Sequence, residues 1–296
     1  MYILDNVLHL TGKFNRSIGK KIRKQIEYFI KKYGNIDIFF GDKFNKPVDN
    51  LPEGIKSIIF TGRFNQEIRN LPKSVKTIKI FGDFDKSVEN LPNNLENLYI
   101  NGEFNHPICD DSGSFLPDTI RCLTIKSFLY SYNHSVKYLP RNLETLRLDI
   151  NFIEPLDNLP GNLTELEIGD LYNFSLDNLP NKLIILKIGN KFNKSLDNLP
   201  NSIVSLLVGE EFNQKLDNLP ITIKELRLGG KFNQSIDCLP DNIENLKLGS
   251  NFRKGIKLPK SLKTIELNEL YFYLFRFNRN SFMEKMYEAG VKVILK

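Results

Sequence analysis

Eleven Leu-Pro pairs punctuate the chain, beginning at Leu51, Leu71, Leu91, Leu116, Leu139, Leu159, Leu179, Leu199, Leu219, Leu239 and Leu258. After each pair apolar residues return four, seven and nine positions past the leucine, as Leu183, Leu186 and Ile188 follow Leu179. The last two of each set stand two apart, the period of a β-strand. Each unit therefore predicts one short strand of roughly four residues. Most steps between pairs are 20 residues, the size of a stacked supersecondary unit. A unit this short cannot bury an apolar face alone, so neighbours must stack, their strands pairing in parallel. The predicted fold is a repeat solenoid.

Other positions in the unit follow from the same frame. Glycine comes after many strands (Gly62, Gly82, Gly102, Gly169, Gly189, Gly209, Gly229, Gly249), where a sharp turn is expected to need positive φ. A Phe-Asn corner comes next, as at Phe44-Asn45, Phe64-Asn65, Phe104-Asn105, Phe192-Asn193, Phe212-Asn213 and Phe232-Asn233, and its rings are expected to stack into a spine. Asp157, Asp177, Asp197, Asp217 and Asp237 recur before Asn-Leu-Pro, where each is expected to accept local backbone N–H groups. Residues 44–267 thus read as the solenoid. Residues 1–43 read as an N-terminal cap: a strand with Leu8 and Leu10, then a helix with Ile18, Ile22, Ile26, Phe29, Ile30 and Tyr33 on one face, ended by Gly34. Residues 268–296 read as a C-terminal cap, a helix from Ser281 as N-cap to Ala289, stopped by Gly290, and a strand over Val291–Leu295.

The pattern Phe-Asn-x-x-Ile, then Leu-Pro-x-x-Ile-x-x-Leu-x-Ile-Gly, resembles the FNIP repeat, a relative of leucine-rich repeats found in slime moulds and giant DNA viruses. The resemblance runs from about Phe44 to Leu267. It implies a leucine-rich-repeat-like right-handed superhelix with one curved parallel β-sheet and short irregular or 3-10 convex segments, used for protein–protein contact. Members often carry an F-box at the N-terminus, and residues 1–43 offer one helical pattern where that module needs several. Leucine-rich repeats usually place an asparagine three residues after the second strand apolar. Here that position holds Arg63, Asp83, Glu103 and Lys191, and the recurring asparagine follows the phenylalanine instead. Its amide is expected to satisfy backbone groups at that corner.

Residues six and eight past each leucine alternate with the buried ones and point outward. Position eight reads Ile59, Lys79, Tyr99, Thr124, Arg147, Glu167, Lys187, Leu207, Arg227, Lys247 and Glu266. Arg147, Glu167 and Lys187 alternate in sign and can satisfy one another across strands. Ile59, Lys79 and Tyr99 with nearby Phe81, and separately Leu207 with Arg227 and Lys247, are less self-satisfied. Exposed aromatic and arginine residues of this kind anchor interfaces. Two steps also exceed the period, at 25 and 23 residues, on either side of Leu116. The extra residues fall near Cys109–Phe115 and Ser127–Ser131, and Phe115, Phe128 and Tyr130 in these loops are further candidate contacts.

Composition narrows the function classes. The chain has 296 residues, 41% of them hydrophobic, with no Pro/Gly/Ser-rich linker, which predicts one domain. No stretch is apolar and long enough to span a membrane, and the alternating start with Asp5 does not read as a secretory signal. Three cysteines are too few for a disulfide framework, so free thiols and a cytoplasmic setting (host cytoplasm if viral) are expected. The net charge of +6 is concentrated: residues 1–33 hold eight basic and two acidic residues, which is the whole excess. Lys20, Lys21, Arg23 and Lys24 make this cap basic. His9, His106 and His134 have no partner at triad or metal-ligand spacing, and no phosphate loop is present. Cys109, Cys122 and His106 come near one another in sequence without a fourth ligand, so no metal and no cofactor are expected. The sequence reads as a non-enzymatic, monomeric scaffold or recruitment module that binds another protein through the sheet face or the inserted loops. Two alternatives are a ubiquitin-ligase substrate receptor without a recognisable F-box, and a nucleic-acid or anionic-membrane binder working through the basic helix.

Overall fold

Each coil opens on a turn begun by its proline. The carbonyl of Pro180 accepts the N–H of Leu183 at 3.0 Å, and Pro200 with Ile203 and Pro220 with Ile223 repeat the bond at 3.2 Å. Proline has no N–H to give to a ladder, so it fits the turn and leaves the strand intact. Beyond the turn the chain joins its neighbour at once: Val204 N–H donates to the Ile184 carbonyl at 2.9 Å, and Lys224 to Val204 likewise. The three apolar positions of every coil, from Ile55, Ile58 and Phe60 to Leu262, Ile265 and Leu267, are all buried.

The computed structural model describes residues 2–127, 132–271 and 279–296. They fall into two units, Met1–Asp149 with Asn158–Asn162, and Ile150–Asp157 with Leu163–Lys296. In the first unit β1 (Tyr2–Leu4) pairs antiparallel with β2 (Val7–Leu10). Helix α1 (Lys20–Tyr33) follows, then strands β3 (Ile36–Phe40), β4 (Ile55–Phe60), β5 (Thr77–Gly82) and β6 (Asn97–Gly102). A small antiparallel hairpin, β7 (Cys109–Asp110) with β8 (Gly113–Ser114), precedes β9 (Cys122–Ser127) and β10 (Thr145–Arg147). Strands β2 to β6, β9 and β10 pair in parallel, in that order. The second unit holds β11 (Glu165–Ile168), β12 (Ile185–Ile188), β13 (Ser205–Val208), β14 (Glu225–Leu228), β15 (Asn245–Lys247), β16 (Thr264–Leu267), helix α2 (Arg279–Glu288) and β17 (Lys292–Leu295). Its strands also pair in parallel, each with the next.

The units differ in how a strand ends. In most coils of the second, glycine stands ten residues past the leucine and closes a strand of three or four residues. In the first that place holds Thr61, Phe81, Asn101 and Lys126, with glycine one residue later after the first three and serine after the fourth. Strands β5, β6 and β9 run on through that place to six residues, whereas β4 reaches six by starting earlier, at Ile55. The expected positive φ occurs only in the first unit, at Gly62 (59°) and Gly82 (123°). In the second unit the reason is close approach: a Cβ on Gly229 or Gly249 would strike the glycine carbonyl of the preceding coil.

Two periodic features line the corner after the strand. Rings stack coil on coil: Phe44, Phe64, Phe84 and Phe104 at 6.0 to 6.1 Å in the first unit, and Phe192, Phe212, Phe232 and Phe252 at 6.1 to 6.2 Å in the second. The asparagine after the ring does what was expected of it. Asn45 Oδ1 accepts Asn65 N–H at 3.1 Å, Asn193 accepts Asn213 and Asn213 accepts Asn233, both at 2.9 Å. Asp85 takes the same place between Asn65 and Asn105. The Asp-Asn-Leu-Pro aspartates differ from expectation, because their carboxylates accept from side chains. Asp197 takes the Ser195 hydroxyl at 2.7 Å and the Asn218 amide at 3.3 Å, while Asp237 takes Ser235 at 2.8 Å.

Helix α1 packs Ile26 fully and Ile22, Phe29 and Ile30 partly, with Gly34 N–H returning to the Ile30 carbonyl at 2.8 Å. Tyr33, expected on the apolar face, is 39% exposed. Helix α2 begins at Arg279, so Ser281 lies inside its first turn and is not the cap. Gly290 closes it at φ 68°.

Candidate docking surfaces

The outward row of the first unit is largely apolar and aromatic. Register places Tyr2, His9, Phe39, Ile59, Lys79, Tyr99, Thr124 and Arg147 opposite one another on successive strands. Tyr2 stacks on His9 with centroids 4.8 Å apart, and His9 meets Phe39 at 5.5 Å. Lys79 Nζ lies 5.4 Å from the Tyr99 ring centroid, a cation–π contact. A hydrogen bond with Cys122, helped by burial, pushes the Tyr99 hydroxyl up to about 12. Phe81, 37% exposed, stands beside this row on the additional strand residue, next to Asn101. The sequence frame named Ile59, Lys79, Phe81 and Tyr99 and missed Tyr2, His9 and Phe39. Leu8 and Leu10, like Ile38 and Phe40, carry the same alternation without a Leu-Pro pair, and that alternation was the available signal. Asp37, also outward, has its carboxyl raised by burial, against the pull of Lys56, Ser57 N–H and Lys79.

The corresponding row of the second unit is ionic. Lys187 reaches Glu165 at 3.3 Å and Glu167 at 4.0 Å. Arg227 pairs with Glu225 at 2.7 Å, and Lys247 with Glu266 at 3.0 Å. The expectation that Arg227 and Lys247 are less self-satisfied is thus corrected: carboxylates six places past the leucine on β14, and eight places past it on β16, neutralise them. Leu207 is half-buried between Lys187 and Arg227 in the register. Arg147 of the first unit is half-buried and also engaged.

The longer step before Leu116 is accounted for by the β7–β8 hairpin, where Asp110 Oδ1 accepts Ser112 N–H at 2.8 Å. Phe115 is half-buried there, its N–H on the Ile108 carbonyl at 2.9 Å. Beside the hairpin a hollow of about 660 Å³ is lined by Ser112, Ser114, Lys137, Tyr138 and Arg141 among others. Phe128 and Tyr130 lie outside the described residues. Cys109, Cys122 and His106 go to separate partners: the Ser135 carbonyl at 3.2 Å, the Tyr99 hydroxyl, and Asp85 at 3.5 Å. Among the described residues no group of three or more His, Cys, Asp and Glu could hold a metal ion.

On α1 the basic cluster divides. Arg23 binds Glu27 at 2.9 Å and the Asn50 carbonyl at 3.2 Å, so it ties the helix to the coil below. Lys20, Lys21 and Lys24 are exposed. Among the described residues no helix is long and apolar enough to cross a membrane.

Comparison with known proteins agrees with this architecture. A search of curated proteins found no match. Among solved structures, YopM from Yersinia enterocolitica WA-314 is similar at 23% identity and TM-score 0.53, over 78% of this chain and 51% of that one. CroV588, described as a novel circular LRR protein, matches at 27% identity and TM-score 0.49, over 78% of this chain and 46% of that one. The chain thus spans about half the length of these structures. The FNIP Repeat family matches residues 44–83, 192–231 and 232–269, the stretches whose strands, ring spine and asparagine ladder are described above. Three stretches of the chain are FNIP repeats, and the fold is a leucine-rich-repeat-like solenoid.

Proposed function

We propose that the protein is a non-catalytic scaffold that docks another protein on the sheet face of its first unit. Repeats of this fold commonly serve as protein-interaction scaffolds. The observation that carries the choice of face is the contrast between the two outward rows. In the second unit the cations at position eight already have carboxylate partners, on a neighbouring strand for Lys187 and Lys247 and on the same strand for Arg227, and exposed pairs of this kind contribute little. In the first unit the row from Tyr2 to Tyr99 presents rings and an isoleucine with one lysine among them. Rigid aromatic side chains bury large areas at small entropic cost and dominate interface energetics. The longer strands widen this face by one outward position, which brings Phe81 onto it.

The test compares three baits in affinity capture followed by binding measurements with the captured protein. They are the intact chain, an Ile59→Glu/Tyr99→Ala variant, and an Arg227→Ala/Lys247→Ala variant. A partner held by the intact chain and the second-unit variant, and weakened about 30-fold or more by the first-unit variant, fits the proposal, since hot spots are worth about 2 kcal/mol or more. Loss on the second-unit variant alone would move the docking face there.

A further inference from the structure

A helix that merely caps a solenoid needs one apolar face and is otherwise polar. Helix α1 departs from that on its solvent side. Lys21, Lys24, Gln25, Tyr28 and Phe29, at the three-, four- and seven-residue spacing of one helical face, line a shallow hollow of about 550 Å³. Tyr28 is 59% exposed, although its ring meets Phe29 edge-on at 5.7 Å, and Phe29 in turn stacks on Tyr33 at 6.3 Å. The packing face is made by Ile22, Ile26 and Ile30, so Tyr28 is not needed to seat the helix.

The charge around the hollow is unspent. Lys21 and Lys24 are exposed, and among the described residues neither has a carboxylate partner. The helix's one acid, Glu27, is taken by Arg23. Residues 1–33 hold the whole positive excess of the chain, and from Gly34 onward the charges balance.

We propose that this face is a second docking site, which binds an acidic segment of another protein. An aliphatic or aromatic side chain of that segment sits over Tyr28 and Phe29, while its carboxylates meet Lys21 and Lys24. Charge complementarity selects an anionic partner, and the concave aromatic floor selects among anions. An interfacial helix lays a continuous apolar stripe 5–10 Å into a lipid surface, roughly, whereas the aliphatic residues of α1 face its own solenoid. A nucleic-acid strand follows a cationic track over many phosphates, and the balanced charge beyond residue 33 offers no such track. The site is separate from the sheet face and stands or falls independently of it.

Fluorescence anisotropy with the full chain tests this. The probes are a pool of labelled 12-residue Glu/Asp-rich peptides carrying a central Leu, Phe or Trp, and a matched pool with Gly at that position. A 12-nucleotide single-stranded RNA and phosphatidylcholine/phosphatidylserine vesicles are the competing anions. The first pool is expected to bind at least about ten-fold more tightly than the Gly pool, RNA or vesicles. Tyr28→Ala is expected to remove about ten-fold, and Lys21→Glu/Lys24→Glu more. Ile59→Glu/Tyr99→Ala is expected to change nothing here, which separates this site from the sheet face. Equal binding of both pools, tighter binding of RNA or vesicles, an unaffected Tyr28→Ala variant of native circular dichroism, or no peptide binding would each overturn the proposal.

Discussion

The rings of Phe212 and Phe232 lie 6.1 Å apart and within 4° of parallel, although 20 residues separate them in sequence. Both are fully buried, and Phe192 and Phe252 continue the stack at 6.2 Å on either side. Phe212→Ala is expected to cost about 3–5 kcal/mol, the range for a buried ring lost to a cavity. Because coils of a solenoid touch mainly their neighbours, the loosening should stay local. Hydrogen exchange should therefore rise on β12, β13 and β14 and remain unchanged on β4 and β5.

Asn213 makes a separate contribution at the same corner, accepting Asn233 N–H at 2.9 Å and Gln234 Nε2 at 3.2 Å. Asn213→Ala leaves that backbone donor without its acceptor and should cost about 1–2 kcal/mol. Asn213→Asp should cost less than about 0.5 kcal/mol, because Asp85 already performs this role in the first unit. Urea midpoints at constant m-value distinguish the two variants.

The glycines should divide by position. At Gly229 an added Cβ would collide with the Gly209 carbonyl, so Gly229→Ala should destabilise by about 1–3 kcal/mol, as overpacking does. A methyl group on Gly161 would meet nothing within 4 Å, and its φ is not positive, so Gly161→Ala should be neutral or stabilising by up to about 1 kcal/mol. Thermal unfolding of the two variants checks the pair.

Acid should act oppositely on two carboxylates. Burial raises Asp37 above its unfolded value despite Lys56, Ser57 N–H and Lys79, so the folded state binds the proton more readily. Its ionisation subtracts stability as pH rises through the window from the unfolded to the folded value. Asp37→Asn should therefore stabilise at pH 7, and the gain should vanish below the unfolded carboxylate range near about pH 4. Glu225 behaves in reverse. Burial pushes it up, but hydrogen bonds from Ser205 and Arg227 outweigh that and leave it lowered. Its stabilisation is present above the unfolded value and is lost as pH falls through the folded one, so Glu225→Gln should destabilise at pH 7 and not at pH 3. Denaturation midpoints from about pH 2, where carboxylates are protonated, to about pH 8, where they are ionised, read both signs.

The strand of each coil was legible because burial leaves a strict mark: an aliphatic or aromatic residue at each of three fixed offsets, as at Leu183, Leu186 and Ile188. The ring spine and the ladder were legible for the same reason. What stayed hidden depended on pairing between side chains. Arg227 read as less satisfied because its carboxylate, Glu225, stands at offset six on the same strand, whereas Glu266 shares the offset of Lys247 and its pairing was legible on the next strand. Arg23 read as one more surface cation because Asn50 lies a coil away. His9 and Phe39 escaped because a frame anchored on Leu-Pro begins only at Leu51.

The asparagine ladder has a direction. Each corner supplies a side-chain oxygen to the coil after it and receives one through its own backbone N–H, a group nearly every residue possesses. The receiving position can therefore hold any residue but proline, and Arg253 does receive, from Asn233 at 2.8 Å. Arginine offers no acceptor to pass on. A duplicated 20-residue segment would thus find a ready joint behind any coil that ends in asparagine, so the array can lengthen by copying without redesign of the junction. The same rule makes one corner substitution enough to punctuate it.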